Sequence, residues 1–130
     1  MADVENAVRT RLTEHEGTAA LISTRAYYGA LPPDPTLPAS TVQQISAPRL
    51  SAMGDDVDQF EVRVTVKACA KTRAGAKALA EQHRAALQRY GGTVAETVLH
   101  DCFLVDEDAT READTKLWVF RQDYMVWASE

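Results

Sequence analysis

Three features of the 130-residue chain predict an α+β fold, a single domain over residues 1–130 with about four strands in a mainly antiparallel or mixed sheet and two main helices packed on it. Residues 59–70 alternate strictly, Phe60, Val62, Val64, Val66, Ala68 and Ala70 interleaving with Gln59, Glu61, Arg63, Thr65, Lys67 and Cys69. A two-residue period of this length puts one face on a core and leaves the other polar. From Thr72, a plausible N-cap, the period becomes helical, and Ala76, Leu79, Ala80, His83, Ala86, Leu87 and Tyr90 fall on one stripe. The stretch 115–128 is rich in Trp, Val, Phe, Tyr and Met, all strand formers.

Taken in order, residues 2–16 carry Val4, Ala7, Val8 and Leu12 at helical spacing, with Asp3 and Glu5 early, where the helix dipole favours acid groups. This first helix is expected to end near Gly17. Residues 19–22 read as a helical turn leading into a short extended piece at 25–28. Four of the five prolines lie in Leu31-Pro32-Pro33-Asp34-Pro35-Thr36-Leu37-Pro38, which must be an irregular loop. Residues 41–47 read as a strand, and 48–58, with Gly54-Asp55-Asp56 at its tip, as the connection to the next. Gly91-Gly92 supplies the stop for the long helix. Residues 93–105 read as a strand with a bulge near His100 and Asp101. Residues 106–114 are acidic and polar and read as a loop. The last strand places Trp118, Phe120, Tyr124 and Val126 on one face and Leu117, Val119, Met125 and Trp127 on the other, so it is expected to be covered on both.

Charge narrows the function. Fourteen basic residues against nineteen acidic ones give a net charge of -5, and the basic residues are dispersed, against the concentrated basic surface that phosphate binding needs. The beginning of the chain has no apolar h-region, and no stretch reaches the ~18 apolar residues of a membrane span, so the protein is expected to be soluble and intracellular while it is made. Cys69 and Cys102 form no CxxC pair and read as reduced, packed thiols.

Reactive chemistry has few candidates. His15, His83 and His100 lack partners at metal-ligand spacing, and His83 on the helix stripe reads as a hydrogen-bonded, partly buried imidazole. His100 beside Asp101-Cys102 raises an activated thiol, but neighbours on a strand point to opposite faces and nothing else there orients a base. Asp106-Glu107-Asp108, with Glu112 and Asp114, could bind a divalent cation, yet the pattern lacks the alternating ligands and central glycine of an EF-hand and reads as a solvated acidic segment. No cofactor, metal or catalytic residue is expected. Shape and assembly are therefore the expected mode of action.

Three segments, in order, carry a resemblance. They are Ala20-Leu21-Ile22-Ser23-Thr24-Arg25-Ala26-Tyr27 with the following proline loop; the strand 60–70 running into Thr72-Arg73-Ala74-Gly75-Ala76-Lys77-Ala78-Leu79-Ala80; and Leu117-Trp118-Val119-Phe120-Arg121-Gln122-Asp123-Tyr124-Met125-Val126-Trp127. Together they resemble the tail-terminator, or tail-completion, proteins of long-tailed phages, prophages and gene-transfer agents, which show an "R-I-Y" stretch, an "A-x-x-L-A" helix and a closing strand ending in "V-W". Ala26 departs from the "I" of the first motif, and Cys69 stands where relatives often carry an aromatic.

The resemblance implies a virion protein, made in the host cytoplasm, that forms a ring with copies of itself, commonly a hexamer, at the head-proximal end of the tail. Its further implied partners are the major tail-tube protein and a head-completion or connector protein. DNA would pass the lumen without specific binding, and no membrane is involved. Acid groups facing that channel would repel phosphate and let the DNA slide. The expected interface residues are Leu31, Pro32, Leu37, Met53, Asp55, Asp56, Arg63, Lys67, Asp106, Glu107, Asp108 and Trp127, from the loops at the sheet ends and the polar face of the long strand. Alternatives are another head–tail joining or minor tail protein, a monomeric α+β module that binds a peptide at its sheet edge, and a small enzyme acting through Cys102 and His100.

Overall fold

The structure, a computed structural model, describes the backbone of residues 3–46, 49–52 and 55–129, and the side chains of those outside 46–60. The chain runs through helices α1 (Val4–Glu14) and α2 (Glu16–Ile22), strands β1 (Ala26–Tyr28), β2 (Ala39–Ser46), β3 (Arg49–Ala52) and β4 (Asp55–Ala70), helix α3 (Arg73–Leu87), and strands β5 (Gly92–Val94), β6 (Thr97–Arg111) and β7 (Trp118–Ser129). One seven-stranded sheet has the order β1-β2-β4-β7-β6-β5, with β3 also pairing β4. β1 and β2 are parallel and every other pair is antiparallel, so the expected α+β class with a mixed sheet is borne out, with more strands than the four anticipated.

The additional strands are β1, formed by the short extended piece expected at 25–28, β3 and β5, and β6 is longer than expected. Residues 48–58, expected as a connection, hold β3 and the start of β4. Residues 93–105 are not one strand: Ala95 and Glu96, both with positive φ, turn β5 back on β6 as a hairpin. The acidic stretch expected to be a loop from residue 106 continues β6 as far as Arg111, paired with β7 through Arg111↔Trp118. Its acid groups do not break the strand, because Asp106 and Asp108 meet a guanidinium on β7. The bulge expected near His100 is present as a register shift between Leu99 and Asp101.

Helix signals were read more closely. Asp3 caps α1 by accepting from the Asn6 amide at 3.0 Å, and Thr72 caps α3 by accepting from the Gly75 amide at 3.1 Å. α3 ends at Leu87, four residues before Gly91, and the left-handed residue beyond it is Arg89 at φ 59. The cause is a competing set of partners on β6. The Arg89 amide donates to the Cys102 carbonyl at 2.6 Å, and the Gln88 Oε1 accepts from the Leu104 amide at 2.7 Å.

All three helices lie on one face of the sheet. Val62, Val64 and Val66 of β4, Tyr124 and Val126 of β7, and Leu99 and Cys102 of β6 pack there against Val4, Val8 and Leu12 of α1 and Leu87 of α3. A second cluster joins Ile22, Leu79, Ala80 and Phe120. Each such large aliphatic side chain contributes roughly 1.5–3 kcal/mol on burial. Two polar seams cross this core. Ser40 Oγ lies 2.6 Å from His83 Nε2, tying β2 to α3, and Gln122 donates to the Ala80 carbonyl at 3.1 Å while accepting from the Tyr124 hydroxyl at 3.0 Å. The hydrogen-bonded imidazole expected at His83 is present and is fully buried.

Candidate functional site

The register of the long strands places the odd-numbered residues of β4 and β7 on the face without helices. Across it run the rows Lys67–Arg121–Asp108, Thr65–Asp123–Asp106, Arg63–Met125–Phe103 and Glu61–Trp127–Asp101. β7 is thus apolar and covered on the helix side, but its other face mixes charge with Val119, Met125 and Trp127.

Asp123 is the centre of this face. Its Oδ1 accepts from the Thr65 hydroxyl at 2.7 Å, and its Oδ2 from Arg63 Nη2 at 2.9 Å and Arg121 Nη1 at 2.6 Å. Burial by itself pushes the carboxyl upward, but the hydrogen bonds from Thr65, Arg121 and Arg63 outweigh it and hold Asp123 below the usual carboxylate range. Arg121 spans three acids, donating also to Asp108 Oδ2 at 2.6 Å and Asp106 Oδ2 at 3.2 Å, and hydrogen bonds to Asp108, Asp123 and Asp106 raise its own pKa. Bonds of this charge-assisted kind fix side-chain positions as well as charge. The described side chains set Arg63, Lys67, Arg121 and Arg89, which pairs with Asp101 at 2.9 Å, against Glu61, Asp101, Asp106, Asp108 and Asp123, which leaves the face net negative by one.

At the Val119 end of this face the proline loop forms one wall of a cleft of about 960 Å³. Leu31, Pro32 and Leu37 line it together with Lys67, Asp108, Leu117, Val119 and Arg121. Five of the expected interface residues, Leu31, Pro32, Leu37, Lys67 and Asp108, are therefore brought together, with Arg63 and Asp106 in the adjoining ion array. Two others are placed apart from them. Trp127 lies toward the opposite end of the same face, between Glu61 and Asp101. Glu107, one residue out of phase, points to the helix side and accepts from Gln122 at 3.2 Å. Asp55 and Asp56 belong to the first part of β4, where only the backbone is described, and Met53 lies outside the described residues.

The sequence reading missed Arg121, Asp123 and Thr65 as a set. A signal was present: Arg121 and Asp123 occupy alternate positions within an otherwise apolar strand, on the face that carries Lys67 and Thr65 in β4. The thiol candidate takes a different form. Cys102 is fully buried among core side chains and burial pushes its thiol up to about 12, while His100 is exposed and bonds Ser129 Oγ at 2.9 Å. The bulge between Leu99 and Asp101 separates the two. Among the described residues no three His, Cys, Asp or Glu side chains group as metal ligands would, and no helix is long and apolar enough to cross a membrane.

The described residues thus form an α+β protein with its sheet covered by helices on one side and a fixed charged face on the other. The family described as "Tail completion protein gp17" matches residues 6–129, and the chain belongs to that family: it is a structural protein of phage tails. Its fold is also similar to a chain in the solved structure "Virion of native gene transfer agent (GTA) particle", at 19% identity and a TM-score of 0.73, over 98% of this chain and 95% of that one. No curated protein matches.

Proposed function

We propose that residues 1–130 act as one domain that closes, in six copies, into a ring at the head-proximal end of the tail tube. There the ring stops tube polymerisation and presents the surface to which a head-completion or connector protein joins. Family membership supports the setting, and the resemblance supplies the ring and its position. The observation that carries the reading is the helix-free face, whose carboxylates outnumber its cations; three of them, Asp106, Asp108 and Asp123, are locked in place by Arg63 and Arg121. Turned toward a channel, such a face repels DNA phosphates without holding any one of them, so DNA passes unbound. The proline-loop cleft and Trp127 then lie toward opposite ends of the face, where a ring would meet tube on one side and head on the other.

Light scattering over a range of concentrations, followed by electron microscopy of the protein alone and mixed with tail tubes, tests this. Rings in solution or caps at one end of each tube are expected. A strict monomer at high concentration that also leaves tube ends bare overturns the proposal. A second reading is favoured by the outer edge of β6 beyond Leu104, which no described strand pairs; before it, Arg89 and Gln88 already take the Cys102 carbonyl and the Leu104 amide. Such an edge can add a peptide strand, and a monomer that captures extended peptides in the same experiments is its signature.

A further inference from the structure

The described residues leave three large hydrophobic side chains exposed: Tyr28 at 49%, Ile45 at 54% and Val105 at 48%. Two of them occupy equivalent places on opposite edges of the sheet. The register of β2 shifts between Gln44 and Ser46, and that of β6 between Leu104 and Asp106, so Ile45 and Val105 are the additional residues of two bulges. Gln44 pairs with Val64, Val64 with Tyr124 and Tyr124 with Leu104, which makes these four residues one row across the sheet. The two bulges therefore flank the sheet at a single height. Neither is covered by a described strand, since β1 pairs β2 only as far as Val42 and β5 pairs β6 only from Thr97 to Leu99. The amide before each bulge is taken within the chain, Gln44 by Glu5 at 2.8 Å and Leu104 by Gln88 at 2.7 Å, which leaves the two aliphatic side chains themselves to make a contact.

We infer that Ile45 of one copy packs against Val105 of the next, and that this apolar contact sets the height at which neighbouring subunits join. The inference rests on the ring reading and names its contact. Bulges on edge strands ordinarily end pairing and discourage association, so a half-exposed aliphatic at each is unfavourable until something covers it. Copies set side by side in the same orientation bring the left edge of one to the right edge of the other, and positions in one row then meet without slipping along the strands. A heterologous contact with no such slip closes on rotation, whereas one with an offset climbs into a helix. Strand direction agrees. β2, β4, β7 and β6 are successively antiparallel, so β6 of one copy would lie antiparallel to β2 of its neighbour.

Cysteine cross-linking tests the contact. The variants Ile45→Cys, Val105→Cys and the double variant are oxidised, with the unmodified chain as control for the buried native thiols, and native mass spectrometry is run in parallel. Disulfide-linked ladders are expected from the double variant, and linked dimers from a mixture of the two single variants, but none from either single variant alone. Homodimers from one single variant would show a two-fold contact and overturn the inference. Unlinked double variant in samples that still contain rings would overturn it while leaving the ring reading intact, and monomers throughout, on tube ends included, would remove both. As a second route, Val105→Glu is expected to abolish assembly without unfolding, and Ile45→Lys added to it to restore assembly. Assembly unaffected by Val105→Glu alone would count against the contact.

Discussion

Arg121 and Asp123, two residues apart on β7, lock each other in the centre of the helix-free face through a 2.6 Å bond from Nη1 to Oδ2. Each then reaches outward in a different direction. Asp123 extends to Thr65 and Arg63 on β4, and Arg121 to Asp106 and Asp108 on β6. The pair thereby ties three adjacent strands on the side where no helix does so, and gives a surface of fixed charge instead of mobile side chains.

Asp123→Asn replaces an acceptor of three donors by an amide that can present its own donors to two guanidinium groups. The variant is expected to lose about 2–3 kcal/mol in urea unfolding at pH 7. The pH dependence follows from the lowered carboxyl. A group depressed in the folded state contributes stability present above its unfolded value of about 3.9, and that contribution is lost as pH falls through the folded value. Wild-type stability should therefore drop below pH 4 with a component that Asp123→Asn lacks; equal acid sensitivity of the two would refute the assignment.

His83 acts in a different window. Burial lowers its pKa from 6.5 to about 3, Ser40 satisfies Nε2, and Nδ1 has no partner among the described atoms. The imidazole is neutral in the fold, so below pH 6.5 the unfolded chain binds a proton that the folded chain does not. Stability is complete above 6.5 and falls by about 1.4 kcal/mol per pH unit toward pH 3. His83→Gln should be less stable at pH 7 but lose stability less steeply than the wild type between pH 6 and 4.5, as measured by urea unfolding in that range. The slope that is left includes His15, whose pKa burial also lowers.

Where a strand's two faces differ, the pattern was legible. The period of β4, the stripe of α3 and the caps at Asp3 and Thr72 were read from local sequence because each is set by residues within a few positions of one another. The continuation of β6 to Arg111 was not, because a run such as Asp106-Glu107-Asp108 is strand-compatible only once Arg121 stands opposite, and that partner is distant in sequence. The end of α3 was misplaced for the same reason: Gly91-Gly92 is a local signal, while the Leu104 amide and Cys102 carbonyl that draw Gln88 and Arg89 out of the helix are not. The interface candidates in the proline loop were found from its composition. The ion array that adjoins them was half found, since Arg63, Asp106 and Asp108 were singled out without the β7 residues that join them.

Both thiols should be silent in the native protein. Burial raises Cys69 to about 11 and Cys102 to about 12, and only the thiolate reacts with alkylating reagents. Iodoacetamide at pH 8 is expected to label neither in water and both in urea, read by intact mass. Fast native labelling of Cys102 would revive the activated-thiol reading. Cys102→Ser should cost about 1–3 kcal/mol by placing a hydroxyl in the apolar cluster, with no loss of assembly.

The strongest test of the charged face is Arg121→Gln, which removes the cation and leaves Asp106, Asp108 and Asp123 converging on the vacated place. Arg121 is partly exposed, with 28% of its side chain accessible, so the loss should be below that of a fully buried pair, about 2 kcal/mol. Repulsion among the three carboxylates then dominates, and it is screened by salt, so half-molar NaCl should recover part of the lost stability in the variant and little in the wild type. Calcium at a few millimolar should recover more than NaCl of equal ionic strength, because carboxylate oxygens are its preferred ligands and a point charge of two can take the position of the guanidinium. Urea unfolding of both proteins in the three buffers measures this. If the variant unfolds with the wild type in all three, the array contributes nothing, and the face owes its order to strand pairing alone.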